Sequence, residues 1–279
     1  MENNVKDTLR QTGFGFKKRF GQNFITDKNL LSSIVREAGV TNDDTVIEIG
    51  CGAGTLTRAI AEQAKKVYGF EIDRDLIPVL TQTLTGIENA EIIFKDFLKV
   101  NLKELEEKTG PYSVVANIPY YVTTPLITKI LDESKLCKSI TVMVQEEVAL
   151  RLCAKENTPD YGAITAVIAL RASAKIVKRV PRAMFTPRPN VDSAVVKMTV
   201  EDGRIAVSNP ELYKKVVHAA FQARRKTLEN NLVNSFKLSR EQAQKILTDC
   251  GIPLKARGET LSPQQLACLA DVLYVEIQD

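Results

Sequence analysis

The chain has 279 residues, 44% of them apolar, and carries 38 Lys and Arg against 34 Asp and Glu, a formal charge of +4. That length suits one large domain with a small one beside it. Five scattered cysteines without a CxxC pair argue against a zinc cluster or a disulfide framework, and a single histidine, His218, excludes Ser-His-Asp and His-rich metal chemistry.

Residues 1–28 read as a polar arm in which Phe14, Phe16, Phe20 and Phe24 interleave with Lys17, Lys18 and Arg19. Such an arm can stack on bases and pair with phosphates, or dock its rings on the core. From Asn29 the spacing of Leu30, Leu31, Ile34, Val35 and Ala38 is helical, with Gly39 as a stop. The chain then alternates. Strands are expected at Val46–Ile49, Val67–Glu71, Ile92–Lys95, Ser113–Asn117 and Ile140–Gln145. Helices follow at Leu56–Ala64, Leu76–Leu84, Leu102–Lys108, Leu126–Leu131 and Glu146–Lys155. This pattern predicts an α/β fold with a mostly parallel sheet covered on both faces. Ala163–Leu170 favours a helix through its alanines, and Ile176–Val180 and Ala194–Val200 read as strands. Beyond Glu201-Asp202-Gly203 the pattern is all helical, with Asn209-Pro210 as a cap and capping boxes at Ser239/Gln242 and Ser262/Gln265. A domain boundary is therefore expected near 203, with domains 1–203 and 204–279.

The stretch Thr45–Thr57, TVIEIGCGAGTLT, organises the first domain. Its strand-to-helix turn carries Gly50, Gly52 and Gly54, and Thr55 stands where a dinucleotide fingerprint has a third Gly or Ala. That weakens NAD or FAD and fits a ligand without a pyrophosphate, such as S-adenosylmethionine (SAM). Glu71 closes the next strand, placed to accept from ribose hydroxyls. Asp96 closes the third strand and can accept from an adenine amine, with Phe97 packing on the ring. Asn117 closes the fourth, followed by Ile118-Pro119-Tyr120. An aromatic amine is a poor nucleophile because its lone pair is delocalised. A carboxamide oxygen from Asn117 can accept from that amine and free the lone pair, while Tyr120 offers a stacking face to a flipped base. Phe185 in FTPRPNVDS offers a second wall.

Between Asp160 and Asp192 there is no acidic residue but six basic ones, Arg171, Lys175, Lys178, Arg179, Arg182 and Arg188. Arg224, Arg225 and Lys226 follow in a helical segment. Both are candidate phosphate contacts. No apolar run approaches 18 residues and the N-terminus has no h-region, so a soluble cytoplasmic protein with reduced thiols and no metal or membrane partner is expected.

The motifs KKRFGQNF, EIGCGAGTLT, FEID, KDF, NIPYYVTTP, FTPRPNVDSAV and FQARRKTLENNL together resemble the bacterial small-subunit ribosomal RNA adenine dimethyltransferases, the KsgA family. Cys51 departs from the proline common there, with a small effect expected on the turn. The resemblance implies a Rossmann-like SAM-dependent methyltransferase domain and a small helical domain that contacts rRNA. It implies that Asn23, Ile25, Gly50, Glu71, Asp96 and Asn117 hold SAM, and that Asn117, Tyr120 and Phe185 engage the adenine. Lys17, Lys18, Arg19, Arg188, Arg224, Arg225 and Lys226 remain the candidates for RNA. It further implies dimethylation of two adjacent adenines near the 3′ end of 16S rRNA in the assembling 30S subunit, a role in subunit biogenesis, kasugamycin sensitivity and a monomer. The alternatives are a 23S rRNA dimethyltransferase, a non-catalytic assembly factor that only binds SAM and, weakest, a dehydrogenase.

Overall fold

The structure, a computed structural model, describes residues 23–118 and 122–278. Lys17, Lys18, Arg19 and Tyr120 lie outside the described residues. The chain groups into two compact units, one running to Ala149 and including Ala174–Val200, the other made of Leu150–Ser173 and the chain from Glu201 onward.

The first unit opens with β1 (Phe24–Ile25) and helix α1 (Lys28–Ala38). Asp27 caps α1 by accepting from Leu30 N–H at 2.8 Å, and Gly39 ends it at φ +75°. Strand β2 (Thr45–Ile49) and α2 (Thr55–Ala61) form the first crossover. Then come β3 (Lys66–Glu71), α3 (Ile77–Thr83), β4 (Ala90–Phe94), α4 (Leu102–Thr109), β5 (Tyr112–Asn117), α5 (Thr123–Glu133), β6 (Cys137–Gln145) and α6 (Glu146–Leu152). Helix α7 (Ala163–Ala169) comes next in the chain but belongs to the second unit, and the first unit resumes through β7 (Ala172–Val180), β8 (Phe185–Thr186) and β9 (Ser193–Val200).

Seven strands form one sheet in the order β4-β3-β2-β5-β6-β9-β7. The pairs β2–β3, β3–β4, β2–β5 and β5–β6 are parallel, and β6–β9 is antiparallel. This is the Rossmann-like arrangement. The chain leaves β2 toward β4 on one side, then returns to lay β5 on the other. The reversal opens a crevice beyond the carboxyl ends of β2 and β5, where open α/β sheets take their ligands. β2 is mostly apolar because both faces are covered, with Val46 and Ile47 fully buried. β5 is anchored at its start, where Tyr112 Oη donates to Ser134 Oγ at 2.9 Å and Ser134 Oγ donates to Glu106. Its other end delivers Asn117. Strands β1 and β8 pair antiparallel as a separate ribbon, Ile25 opposite Phe185. Two-residue strands carry no periodicity, so neither was legible beforehand.

The second unit continues with α8 (Pro210–Gln222), α9 (Leu228–Phe236), α10 (Arg240–Asp249) and α11 (Pro263–Gln278). They close on a core that includes Tyr213, Val216, Leu228, Leu247 and Leu269. Both expected capping boxes form: Ser239 with Gln242, and Ser262 N–H to Gln265 Oε1 at 3.0 Å with Gln265 N–H to Ser262 Oγ at 3.2 Å. The division differs from a single cut near 203, because Leu150–Ser173 packs with the helical unit. Tyr213 Oη donates to Ala166 O at 2.8 Å, and Arg224 donates to Pro159 O and Tyr161 O, each at 3.1 Å. These bonds bind α7 and the loop before it to α8, contacts that local sequence pattern does not register.

Candidate donor and base site

The glycine turn after β2 holds Gly50, Gly52 and Gly54 at φ +80°, +54° and +79°. At Gly52 two constraints coincide, since a Cβ there would also stand 2.8 Å from the Phe24 ring. The turn is tied to β3. Gly50 N–H and Cys51 N–H donate to Phe70 O at 2.8 and 3.3 Å, and Gly52 N–H donates to Glu71 Oε2 at 2.8 Å. Glu71 Oε1 accepts from Ile72 N–H and Asp73 N–H, both at 2.8 Å. A carboxylate offers about four acceptor sites. Three are therefore committed to backbone, and Glu71 braces the turn besides facing the crevice.

Asp96 Oδ1 accepts from Leu98 N–H at 3.0 Å. Phe97 is buried, edge-on to Phe70 with centroids 5.1 Å apart. Asn117 Nδ2 donates to Asn23 O at 3.0 Å, which fixes the amide and leaves Oδ1 as the acceptor.

These groups line one cavity of about 390 Å³, within the range of small-ligand sites. All the residues assigned to donor binding border it: Asn23, Ile25, Gly50, Gly52, Glu71, Asp96, Phe97 and Asn117. Three more were missed. Ile72 and Leu98 are apolar walls, 53% and 37% exposed. Each stands just past a polar strand end, which is the signal available in the sequence; their exposure is not. The third is Glu48, fully buried in β2, with neither carboxylate oxygen in hydrogen-bonding geometry with a partner among the described residues. Burial pushes its carboxyl up from 4.5 to about 8. The Glu71 charge adds to that rise, and nearby Thr57 and Cys51 oppose it. A carboxylate between Ile47 and Ile49 in a central strand was the visible clue.

Cys51 turns away from the loop toward β3. Its Sγ would lie 2.4 Å from a Cβ on Gly69, so the glycine there makes room for it. Burial, then Glu48 and Glu71, push this thiol well above its usual range.

Phe185 does not reach the cavity wall. It is 4% exposed and sits in the core behind Ile25, its β8–β1 partner. The loop after it is ordered by Asp192, which accepts from Arg182 N–H at 2.9 Å, and by Arg182, whose guanidinium donates to Asn190 O at 2.7 Å. Arg188, Arg225 and Lys226 are exposed, as a phosphate contact requires. The acid-free basic stretch is less uniform than it reads. Arg171 pairs with Asp202 at 2.8 Å in the helical unit, and Arg179 with Glu146 at 3.2 Å in the sheet unit. Among the described residues no group of three or more His, Cys, Asp or Glu is placed to hold a metal, and no helix is long and apolar enough to cross a membrane.

A family profile described as ribosomal RNA adenine dimethylase matches residues 13–273. The chain is 45% identical to the ribosomal RNA small subunit methyltransferase A of Bacillus licheniformis, with 96% of this chain and 95% of that one covered. It is 41% identical to the protein of the same name from Clostridioides difficile, with 99% and 96% covered. Among solved structures, it resembles the 23S rRNA methyltransferase ErmE, with 27% identity, TM-score 0.70 and 90% and 100% covered. It also resembles a dimethyladenosine transferase from Plasmodium falciparum, with 25% identity, TM-score 0.75 and 88% and 95% covered. With a profile match over most of its length and relatives above 40% identity, the chain belongs to the ribosomal RNA adenine dimethylase family.

Proposed function

We propose that this protein uses SAM to place two methyl groups on the exocyclic N6 amine of each of two adjacent adenines in the 3′-terminal hairpin of 16S rRNA, within assembling 30S subunits in the cytoplasm. The observation that carries this reading is Asn117, at the end of β5, with its Nδ2 committed to Asn23 O and its Oδ1 left to accept at the cavity wall.

The cavity fits the donor on its own terms. A buried carboxyl with only Thr57 and Cys51 beside it, and no partner in hydrogen-bonding geometry among the described residues, suits a cationic ligand, and Glu48 is the counter-charge for the ammonium of SAM's amino-acid tail. The turn at Gly52 has no room for a side chain, so backbone forms that wall. Glu71, Asp96, Ile72, Leu98 and Phe97 hold the nucleoside part through polar edges and apolar faces. Bound there, SAM supplies an electrophilic methyl group on a sulfonium.

Asn117 Oδ1 accepts from an N–H of the adenine amine, draws the nitrogen toward tetrahedral geometry and localises its lone pair. Positioning carries the rate, and no basic side chain is needed to create the nucleophile. After one methyl transfer the amine still has an N–H, so the same oxygen serves the second. The dimethyl product has none, and that hydrogen bond is lost when the work is complete. Tyr120 stacks on the flipped base, a few kilocalories of unstacking being met by such contacts. Phe185 packs behind Ile25, which borders the cavity. Arg188, Arg225 and Lys226, with Lys17, Lys18 and Arg19, take phosphates.

The test is transfer of labelled methyl from SAM to small subunits lacking the modification, with mass mapping of the product. Two adjacent dimethyladenosines are expected; no incorporation would sink the proposal. The likeness to ErmE raises a 23S substrate as a second reading. The near full-length relatives at 41–45% identity bear the small-subunit name and favour the first. Methylation of naked 23S rRNA in preference to 30S subunits would reverse that choice.

A further inference from the structure

None of the five cysteines takes part in the chemistry above, yet two of them meet. Cys250 caps the C-terminal end of α10 and Cys268 lies in α11, 18 positions further along the sequence, with 2.7 Å between their sulfurs. The two side chains therefore face each other where α10 packs against α11. The apposition is anchored elsewhere on the same two helices, where Lys245 of α10 pairs with Glu276 of α11. Both thiols are half-buried and within reach of a small reagent, whereas Cys51 and Cys137 are buried.

We propose that Cys250 and Cys268 form a redox-responsive dithiol, oxidised by a low-molecular-weight disulfide to an intramolecular bond that staples α10 to α11. The Cys268 thiolate attacks one sulfur of the oxidant, breaks its S–S bond and expels the first thiol, which takes up the proton Cys268 lost. Cys250 then gives up its proton, its sulfur attacks Cys268 Sγ, and the second thiol leaves with that proton. Two electrons pass from the cysteine sulfurs to the oxidant. This order follows from the surroundings of Cys250, whose thiol is pushed up by burial, by Cys268 and by the charges of Asp249 and Asp271.

The bond closes a loop that already seals the helical core. Ala256 O accepts from Leu228 N–H at 2.8 Å, and Gly258 lies so close to α8 that a Cβ would meet Ala220 O at 2.2 Å. Stapling this loop removes freedom from the unfolded chain and raises the melting point of the helical unit.

The experiment treats the native, full-length protein with oxidised glutathione, removes the oxidant, unfolds the protein in excess N-ethylmaleimide so that every remaining thiol is blocked, and digests without reduction. The expected result is a peptide pair joined through Cys250 and Cys268, with the other three cysteines alkylated. Thermal unfolding should shift upward by about 5 °C and return on treatment with a phosphine reductant. Cys250→Ser and Cys268→Ser should each abolish both the joined peptide and the shift, while their reduced circular dichroism matches the parent. Glutathione adducts without the joined peptide, a bond to Cys153 instead, or joining only in denaturant would overturn the proposal. So would a joined peptide that leaves the melting point unmoved.

Discussion

The ends of β2 and β3 lie side by side, and each presents a glutamate, but the two carboxylates are in opposite states. Glu71, at the end of β3, accepts three backbone N–H bonds. Glu48, near the end of β2, is fully buried and accepts none among the described residues. Glu71 spends most of its acceptors on the glycine turn, and the proposed function assigns those of Glu48 to the bound donor. A carboxylate's role is thus set by which donors surround it, not by its place at a strand end. The same contrast recurs in the helical unit between two exposed arginines, Arg224, which spans two carbonyls, and Arg225, without a protein acceptor among the described residues.

Four substitutions would sharpen or break this contrast. The largest effect belongs to Glu71→Ala, which strands three backbone donors and should lower stability by about 3–5 kcal/mol, with donor affinity falling alongside. Chemical denaturation and calorimetric titration with SAM would read both losses; unchanged stability would mean that the turn does not depend on Glu71.

Glu48→Gln should act with the opposite sign on stability. An acid raised from 4.5 to about 8 on folding favours the folded state below pH 4.5, and that contribution is lost as pH rises through about 8. By pH 7 the loss amounts to up to about 3 kcal/mol. The glutamine variant should therefore lack this decline and be at least as stable as the parent at neutral pH, yet bind SAM about tenfold more weakly. In the parent, SAM binding near pH 7 should release a proton, because a neighbouring ammonium favours the ionised carboxylate. Titrations in two buffers of different ionisation enthalpy would detect the release. Its absence, or its persistence in the glutamine variant, would separate Glu48 from the cation.

Arg224→Ala is expected to destabilise the helical unit by about 1–2 kcal/mol through its two lost carbonyl bonds, measured by thermal unfolding. The smallest structural effect is that of Arg225→Ala. It should leave the melting point in place but shallow the salt dependence of 30S binding by about one unit of log–log slope. If Arg225→Ala proves the more destabilising of the two, the division between bracing and contacting arginines fails.

Much of the lining of the candidate site was legible beforehand. The alternation of short apolar runs with helical patterns led to a parallel sheet, and the polar residue ending each strand pointed to one crevice. Glu71, Asp96 and Asn117 do border a single cavity. Phe185 shows where such reading stops. An aromatic beside a proline-rich loop suggests an exposed wall, but the β1–β8 pairing turns the ring into the core. Leu150–Ser173 shows the same at the scale of a unit, since its helix reads like those of the sheet region while its hydrogen bonds run to α8.

The sequence by itself determined which chemical groups stand at the carboxyl ends of the strands, because strand ends follow from local periodicity and glycine turns from backbone sterics. Only the tertiary structure decided what each group is free to do. Gly52 reaches Glu71 across 19 positions of sequence, and Asn117 reaches Asn23 across 94. Whether an acceptor is spent on the fold or left for a ligand depends on partners that distant, and folding alone brings them within 3 Å of one another.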